Sequence, residues 1–208
     1  MENLLFEDSS MSVSGVLRRA VSKVDAQQTT LRELIQLMGE HGLLFLCILL
    51  CVPFLFPVSV PGVSTVFGAG IILIGIAITL NRMPWLPSRL VDRKVETSSL
   101  KATLEKGVRL MEKVETFIKP RLFVLTSGAV VNRVNGLAIV FAAGLLMLPL
   151  GLVPFSNTLP AVAIMLLALG MSQRDGWVVV AGYFMIVVTL VYFGALAFLG
   201  WQAGTAFI

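Results

Sequence analysis

Polar and apolar positions along this chain are sorted into long blocks rather than mixed at the short periods of a soluble domain. Asp, Glu, Lys and Arg are absent from Gly42 to Leu80, from Val134 to Gln173 and from Gly176 to Ile208, blocks of 39, 40 and 33 residues. Each exceeds the roughly 20 apolar residues that cross a bilayer once as helix. A charged side chain at the centre of a membrane helix costs about 2.5–3.5 kcal/mol on insertion scales, so the blocks are read as embedded in hydrocarbon. The first is interrupted by Pro53, Pro57, Pro61 and Gly62, the second by Pro149, Pro154 and Pro160. Proline removes a backbone donor and clashes with the preceding turn, so each block is predicted as two helical pieces joined at a break. Trp177 to Ile208 is predicted as one tilted span with an interfacial tail.

The flanking segments carry a helical period instead. Thr30-Leu31-Arg32-Glu33 has capping-box spacing, and Leu31, Leu34, Ile35 and Met38 then share one helical face. Such a helix lies at the interface or packs on the bundle. Leu100, Leu104, Val108, Met111, Val114 and Ile118 step in threes and fours and predict a second amphipathic helix. The expected fold class is therefore all-α: a polytopic transmembrane helical protein with two broken-helix internal repeats and interfacial amphipathic helices. Its parts are an amphipathic segment 1–41, membrane repeats 42–80 and 134–175 around a basic linker 81–133, and a C-terminal helix 176–208.

Composition excludes the main alternative. The chain is 57% hydrophobic and 13% charged, against about 45–50% and 25% in soluble domains, so a soluble core of this size would lack polar chain to cover it. Acidic residues precede any apolar run at the N-terminus, so no cleaved signal peptide is expected. Of the 16 basic residues, 11 fall between Asn81 and Arg133, which assigns that segment to the cytoplasmic side. Its basic face either meets anionic lipid headgroups or stands solvated above the bundle. Membrane lipids are expected partners and nucleic acid is not. Gly200 and Gly204 have a spacing that lets two helices approach, the feature that allows a homodimer.

The two broken blocks repeat one another. An offset of 92 residues aligns Pro57 with Pro149, Ser64 with Ser156, Arg82 with Arg174 and Trp85 with Trp177, which argues for duplication. Transporters use duplicated discontinuous helices to place a site at the bilayer midplane; alternatively each break is a tight turn between ordinary spans. The basic residues at the four ends put all of them on the cytoplasmic side, favouring a hairpin or two re-entrant half-helices in each repeat. An inverted pair would need one set of arginines on the outer face.

Hydroxyls and an amide follow each break: Ser64 and Thr65 in the first copy, Ser156, Asn157 and Thr158 in the second. They are expected to cap the resumed helices, and helix N-termini inside a membrane attract anions. One reading is a substrate-binding polar pocket where the breaks approach; the other is that these side chains only satisfy their own backbone. Arg82 and Arg174, with Asp175, either end the spans or act as a gate or headgroup contact. Cys47 and Cys51, four apart, read as small packing residues. His41 is the only histidine, so no His-based metal cluster forms within one chain and an interfacial role is expected for it. No cofactor is expected. With no acid–base pair inside the membrane and no base beside a serine, catalysis is not expected either.

In this order and with this hydropathy, several strings resemble the bacterial exopolysaccharide synthesis protein ExoD family. They are Thr30-Leu-Arg-Glu-Leu-Ile-Gln-Leu-Met-Gly-Glu-His-Gly42, Pro61-Gly-Val-Ser-Thr-Val-Phe-Gly68, Pro84-Trp-Leu-Pro87, Asn157-Thr-Leu-Pro160 and Arg174-Asp-Gly176. The resemblance runs from about Leu31 to the C-terminal span. It implies a multi-pass inner-membrane protein linked to exopolysaccharide production, without catalytic residues to carry over. The function expected is transport or substrate handling in synthesis or export; the alternative is a non-catalytic scaffold or regulatory subunit that binds the other polysaccharide-synthesis proteins.

Overall fold

The computed structural model describes residues 15, 18, 31–55, 62–81, 108–109, 112, 120–148, 150 and 153–205. These residues form five α-helices: α1 (Leu31–Cys51), α2 (Val63–Leu80), α3 (Ala129–Leu146), α4 (Thr158–Ser172) and α5 (Gly176–Thr205). Two 3-10 turns, η1 (Val52–Leu55) and η2 (Phe123–Leu125), follow α1 and precede α3. The all-helical class read from the sequence is correct. Two helical stretches, Ala129–Leu146 and Gly176–Ala203, are long and apolar enough to cross a membrane, while Gly39–Leu55, Ser64–Leu80 and Thr158–Ser172 are shorter apolar pieces.

Helix α1 is broken at Gly39, whose φ of 53° and ψ of −139° are not helical. That conformation suits a residue without Cβ. It separates the segment before Glu40 from the apolar piece after it, close to the boundary the charge pattern indicates. The side chains from Leu31 to Met38 and most of the linker lie outside the described residues, so the two amphipathic faces do too. Within the flanking segments, Arg18 donates to Glu112 Oε1 in an exposed ion pair, which raises the guanidinium pKa through that hydrogen bond, and Val108 is buried.

Contacts along the helices give their directions. A Cβ on Gly68 would meet Met147 and Ala143, and one on Gly136 would lie 2.5 Å from Thr79 Oγ1 and 3.0 Å from the Gly75 carbonyl. So α2 and α3 are antiparallel and touch backbone to backbone at Gly75 and Gly136. Asn132 Nδ2 donates to Glu40 Oε1 at 2.7 Å, joining the start of the apolar part of α1 to the start of α3. Gly170 abuts Val179 and Gly182 abuts Leu167, which makes α4 and α5 antiparallel. Both apolar blocks are thus hairpins that begin and end at one end of the bundle, with α1 and α3 parallel. The breaks lie at the other end.

Helix α4 fills the centre and packs on α5, α1 and α3. Ala161, Ala163, Ile164, Leu167 and Ala168 are fully buried in one apolar core that also holds Leu43, Cys47 and Cys51 of α1, Ile71 and Ile78 of α2 and Ile139 and Leu146 of α3. Both cysteines are free thiols in that core, as packing residues should be. Outward faces are apolar as well: Val66, Leu137, Phe184, Val187 and Val191 are all more than half exposed. Large apolar faces of this kind are expected against lipid and not against water.

Candidate functional site

The end of the bundle that holds the breaks gathers most of the candidate site residues. In the first apolar block η1 closes α1, and α2 resumes after Gly62, which has a φ of 86°. Ser64 is half-buried and Thr65 exposed, both inside the first turn of α2. In the second apolar block, Val153 to Asn157 forms turns with Phe155 at φ 61°, and α4 starts at Thr158 with Pro160 buried in its first turn. Pro154 is exposed. Pro57, Pro61 and Pro149 lie outside the described residues.

The hydroxyls act on carbonyls. Ser156, 2% exposed, donates through Oγ to the Leu150 carbonyl at 2.9 Å. Thr158 Oγ1 donates to the Phe54 carbonyl at 2.8 Å, linking the two breaks. Tyr192 of α5 donates to the Pro154 carbonyl at 2.6 Å. Phe54 also meets Phe67 of α2 edge-to-face, with ring centroids 5.9 Å apart. The expected capping does not occur: neither Gly62 at the start of α2 nor Asn157 at the start of α4 makes a side-chain cap. The reason is positional, because Ser64 and Thr65 fall within the turn and Ser156 reaches back to the Leu150 carbonyl, which also accepts from the Val153 N–H at 2.8 Å. A buried hydroxyl needs an acceptor, and a carbonyl with two lone pairs can serve it beside a backbone N–H.

Arg174 and Asp175 sit at the opposite end, in the turn between α4 and α5. With α4 15 residues long, that is about 22 Å from the breaks. Arg174 is held at φ 54°. Asp175 is 6% exposed, and its Oδ1 accepts from the Trp177 N–H at 2.9 Å, capping α5. The structure therefore separates Arg174 and Asp175 from the hydroxyl cluster. Arg82 is outside the described residues.

Sequence reading missed the polar pairs inside the bundle. Asn135, 2% exposed, accepts from the Tyr183 hydroxyl at 2.8 Å and donates to the Leu125 carbonyl at 3.0 Å. Together with the Glu40–Asn132 bond it ties the helix starts together. The available signal was an amide inside an uncharged block, which must find partners if buried. Among the described residues no three His, Cys, Asp or Glu side chains gather as a metal site.

The family described as "Exopolysaccharide synthesis, ExoD" matches residues 13–195. Protein ExoD of Rhizobium meliloti (strain 1021) is 54% identical over 199 residues, 96% of this chain and 83% of that protein. An uncharacterized protein of Synechocystis sp. is 26% identical over 162 residues, 77% of this chain and 75% of its own. No solved structure matches. By the extent of the family match and the identity to a relative of similar length, this chain belongs to the exopolysaccharide synthesis ExoD family.

Proposed function

We propose that this chain is a multi-pass protein of the bacterial inner membrane that handles substrate for exopolysaccharide synthesis or export at the polar breaks of two re-entrant hairpins, without catalytic chemistry of its own. The depth at which the breaks end carries this reading. Trp177 and Trp201 are 24 residues apart on α5, about 36 Å, a separation suited to the aromatic belts of one bilayer. Tyr192, which bonds the second break, is 15 residues from Trp177, about 22 Å along the helix. The hairpins accordingly turn about 14 Å short of the far belt. Irregular backbone at that depth is tolerated where protein or a water-filled cavity covers it, and Ser64, Thr65, Ser156, Asn157 and Thr158 are carried there.

Duplication supports the same reading. The offset of 92 residues that aligns the breaks also relates the last residues of α2 and α4, Leu80 and Ser172, and joins Glu40 to its partner Asn132. Equivalent residues meet in this way beside a pseudo-two-fold axis. Helix α1 packs on α4 as α3 packs on α2, the same contact made twice. The parallel course of α1 and α3 favours a same-topology duplication over an inverted one.

The test is labelling of single cysteines at Ser64 and Asn157, in a chain lacking Cys47 and Cys51, with small polar reagents in cells and inverted vesicles. Labelling at both positions, with exopolysaccharide output lost in Asn157→Ala while the protein still inserts, is the expected outcome. A second reading, a scaffold that binds the polysaccharide machinery, is favoured by the hydroxyls of Ser156, Thr158 and Tyr192 already donating to carbonyls. Inert cysteines at both positions, with output lost instead on charge reversal at Lys101, Lys106 and Lys113, would replace the first reading with it.

A further inference from the structure

The turn leading into α3 holds apolar side chains outward at the basic end of the bundle. Phe123 is 53% exposed and Val124 78%, and Leu122, Val130 and Trp177 beside them are exposed too. Several carbonyls of the turn are nevertheless paired. Leu125 N–H donates to the Leu122 carbonyl at 3.0 Å, Thr126 and Ser127 N–H to that of Phe123, and Gly176 N–H to that of Arg121 at 2.7 Å. Asn135 takes up the Leu125 carbonyl. Each carbonyl paired in this way lowers the cost of bringing the turn to the headgroup–acyl boundary.

This presentation is imposed by the fold. Leu122 is held at φ 50°, a region that a branched side chain avoids. Its carbonyl presses on Gly176, where a Cβ would lie 2.5 Å away, so only glycine lets the turn dock there. Strain of this kind persists where surrounding structure enforces it. Here it keeps Leu122, Phe123 and Val124 from folding back onto the bundle. Arg121 precedes them and is exposed, and Arg133 is exposed one turn into α3.

We propose that η2 and Trp177 form a wedge in the headgroup–acyl boundary of the leaflet at this end, with Arg121 binding the phosphate of an anionic phospholipid. Charge complementarity selects that occupant over a protein: residues 81–133 hold 11 basic side chains against five acidic ones, and tryptophan beside arginine suits the membrane interface. The inference rests on the membrane placement proposed above and not on transport.

The test uses the full chain with Trp85 and Trp201 changed to Phe, so that Trp177 alone fluoresces. The protein is placed in vesicles of phosphatidylcholine and phosphatidylglycerol in equal parts, with bromine on the acyl chains of one or the other. Brominated phosphatidylglycerol is expected to quench Trp177 with about fivefold preference, and R121Q to bring the two lipids to parity while quenching persists. Equal quenching in the chain that retains Arg121 overturns the phosphate site, and absence of quenching by either lipid overturns the wedge. A nitroxide on V124C, in a chain lacking Cys47 and Cys51, reads depth independently. Access to oxygen over a nickel chelate is expected; protection from both, as a covering protein would give, overturns it. The same label at Phe184 separates the two readings: oxygen access there without it at 124 sinks only the wedge, whereas nickel access at both sinks the membrane placement.

Discussion

Thr158 holds the two breaks together with one hydrogen bond, and its worth is measurable. Thr158→Val keeps the shape and removes the donor that the Phe54 carbonyl accepts from across the breaks. A loss of about 1 kcal/mol is expected, read as a lower unfolding midpoint in detergent, with a smaller effect from Thr65→Val because Thr65 is exposed. Asn135 and Tyr183 form the other informative pair. Asn135→Ala strands the Tyr183 hydroxyl, so it is expected to cost about 1–3 kcal/mol, and a double-mutant cycle with Tyr183→Phe should return a coupling above about 0.5 kcal/mol. Additive single effects would mean that the bond contributes nothing.

Helices here are set by close approach as much as by apolar periodicity. At the crossing of α2 and α3 the Gly75 carbonyl and Thr79 leave no room for a Cβ at Gly136. Gly136→Val is expected to cost about 1–3 kcal/mol through overpacking and to broaden the size-exclusion profile in detergent; Gly144→Val, where a Cβ meets nothing, is the control. Length separates the elements as well. Helix α4 has 15 residues and α5 has 30, about 22 and 45 Å, so only α5 clearly exceeds the hydrocarbon core. The polar side chains on these apolar helices either pair across an interface, as Tyr183 does with Asn135, or return to their own backbone, as Thr189 does to the Met185 carbonyl at 2.7 Å.

For the molecule as a whole, two hairpins that share an end and one long helix make a definite claim about sidedness. Cysteines at Asn81 and Arg174, the ends of the two hairpins, are expected to react with an impermeant maleimide only from the cytoplasmic face, and one at Trp201 only from the opposite face. Reaction of 81 and 174 from opposite faces would mean inverted repeats. The linear pattern of charge and proline by itself determined the helical class and the position of both breaks, because those depend on which residues hydrocarbon and helix geometry accept; family membership was legible separately, in the residue strings such as Pro61–Gly68 and Asn157–Pro160. The same pattern also located the long C-terminal helix, whose apolar run needs no partner to be recognised. What the tertiary structure alone decided is which groups meet. Nothing local in the sequence indicates that Thr158 would reach Phe54 across 104 positions, that Glu40 would find Asn132 across 92, or that Arg174 and Asp175 would stand apart from the hydroxyls. Hydrogen-bond partners follow from helix direction and register, and these are set by packing between segments distant in the chain.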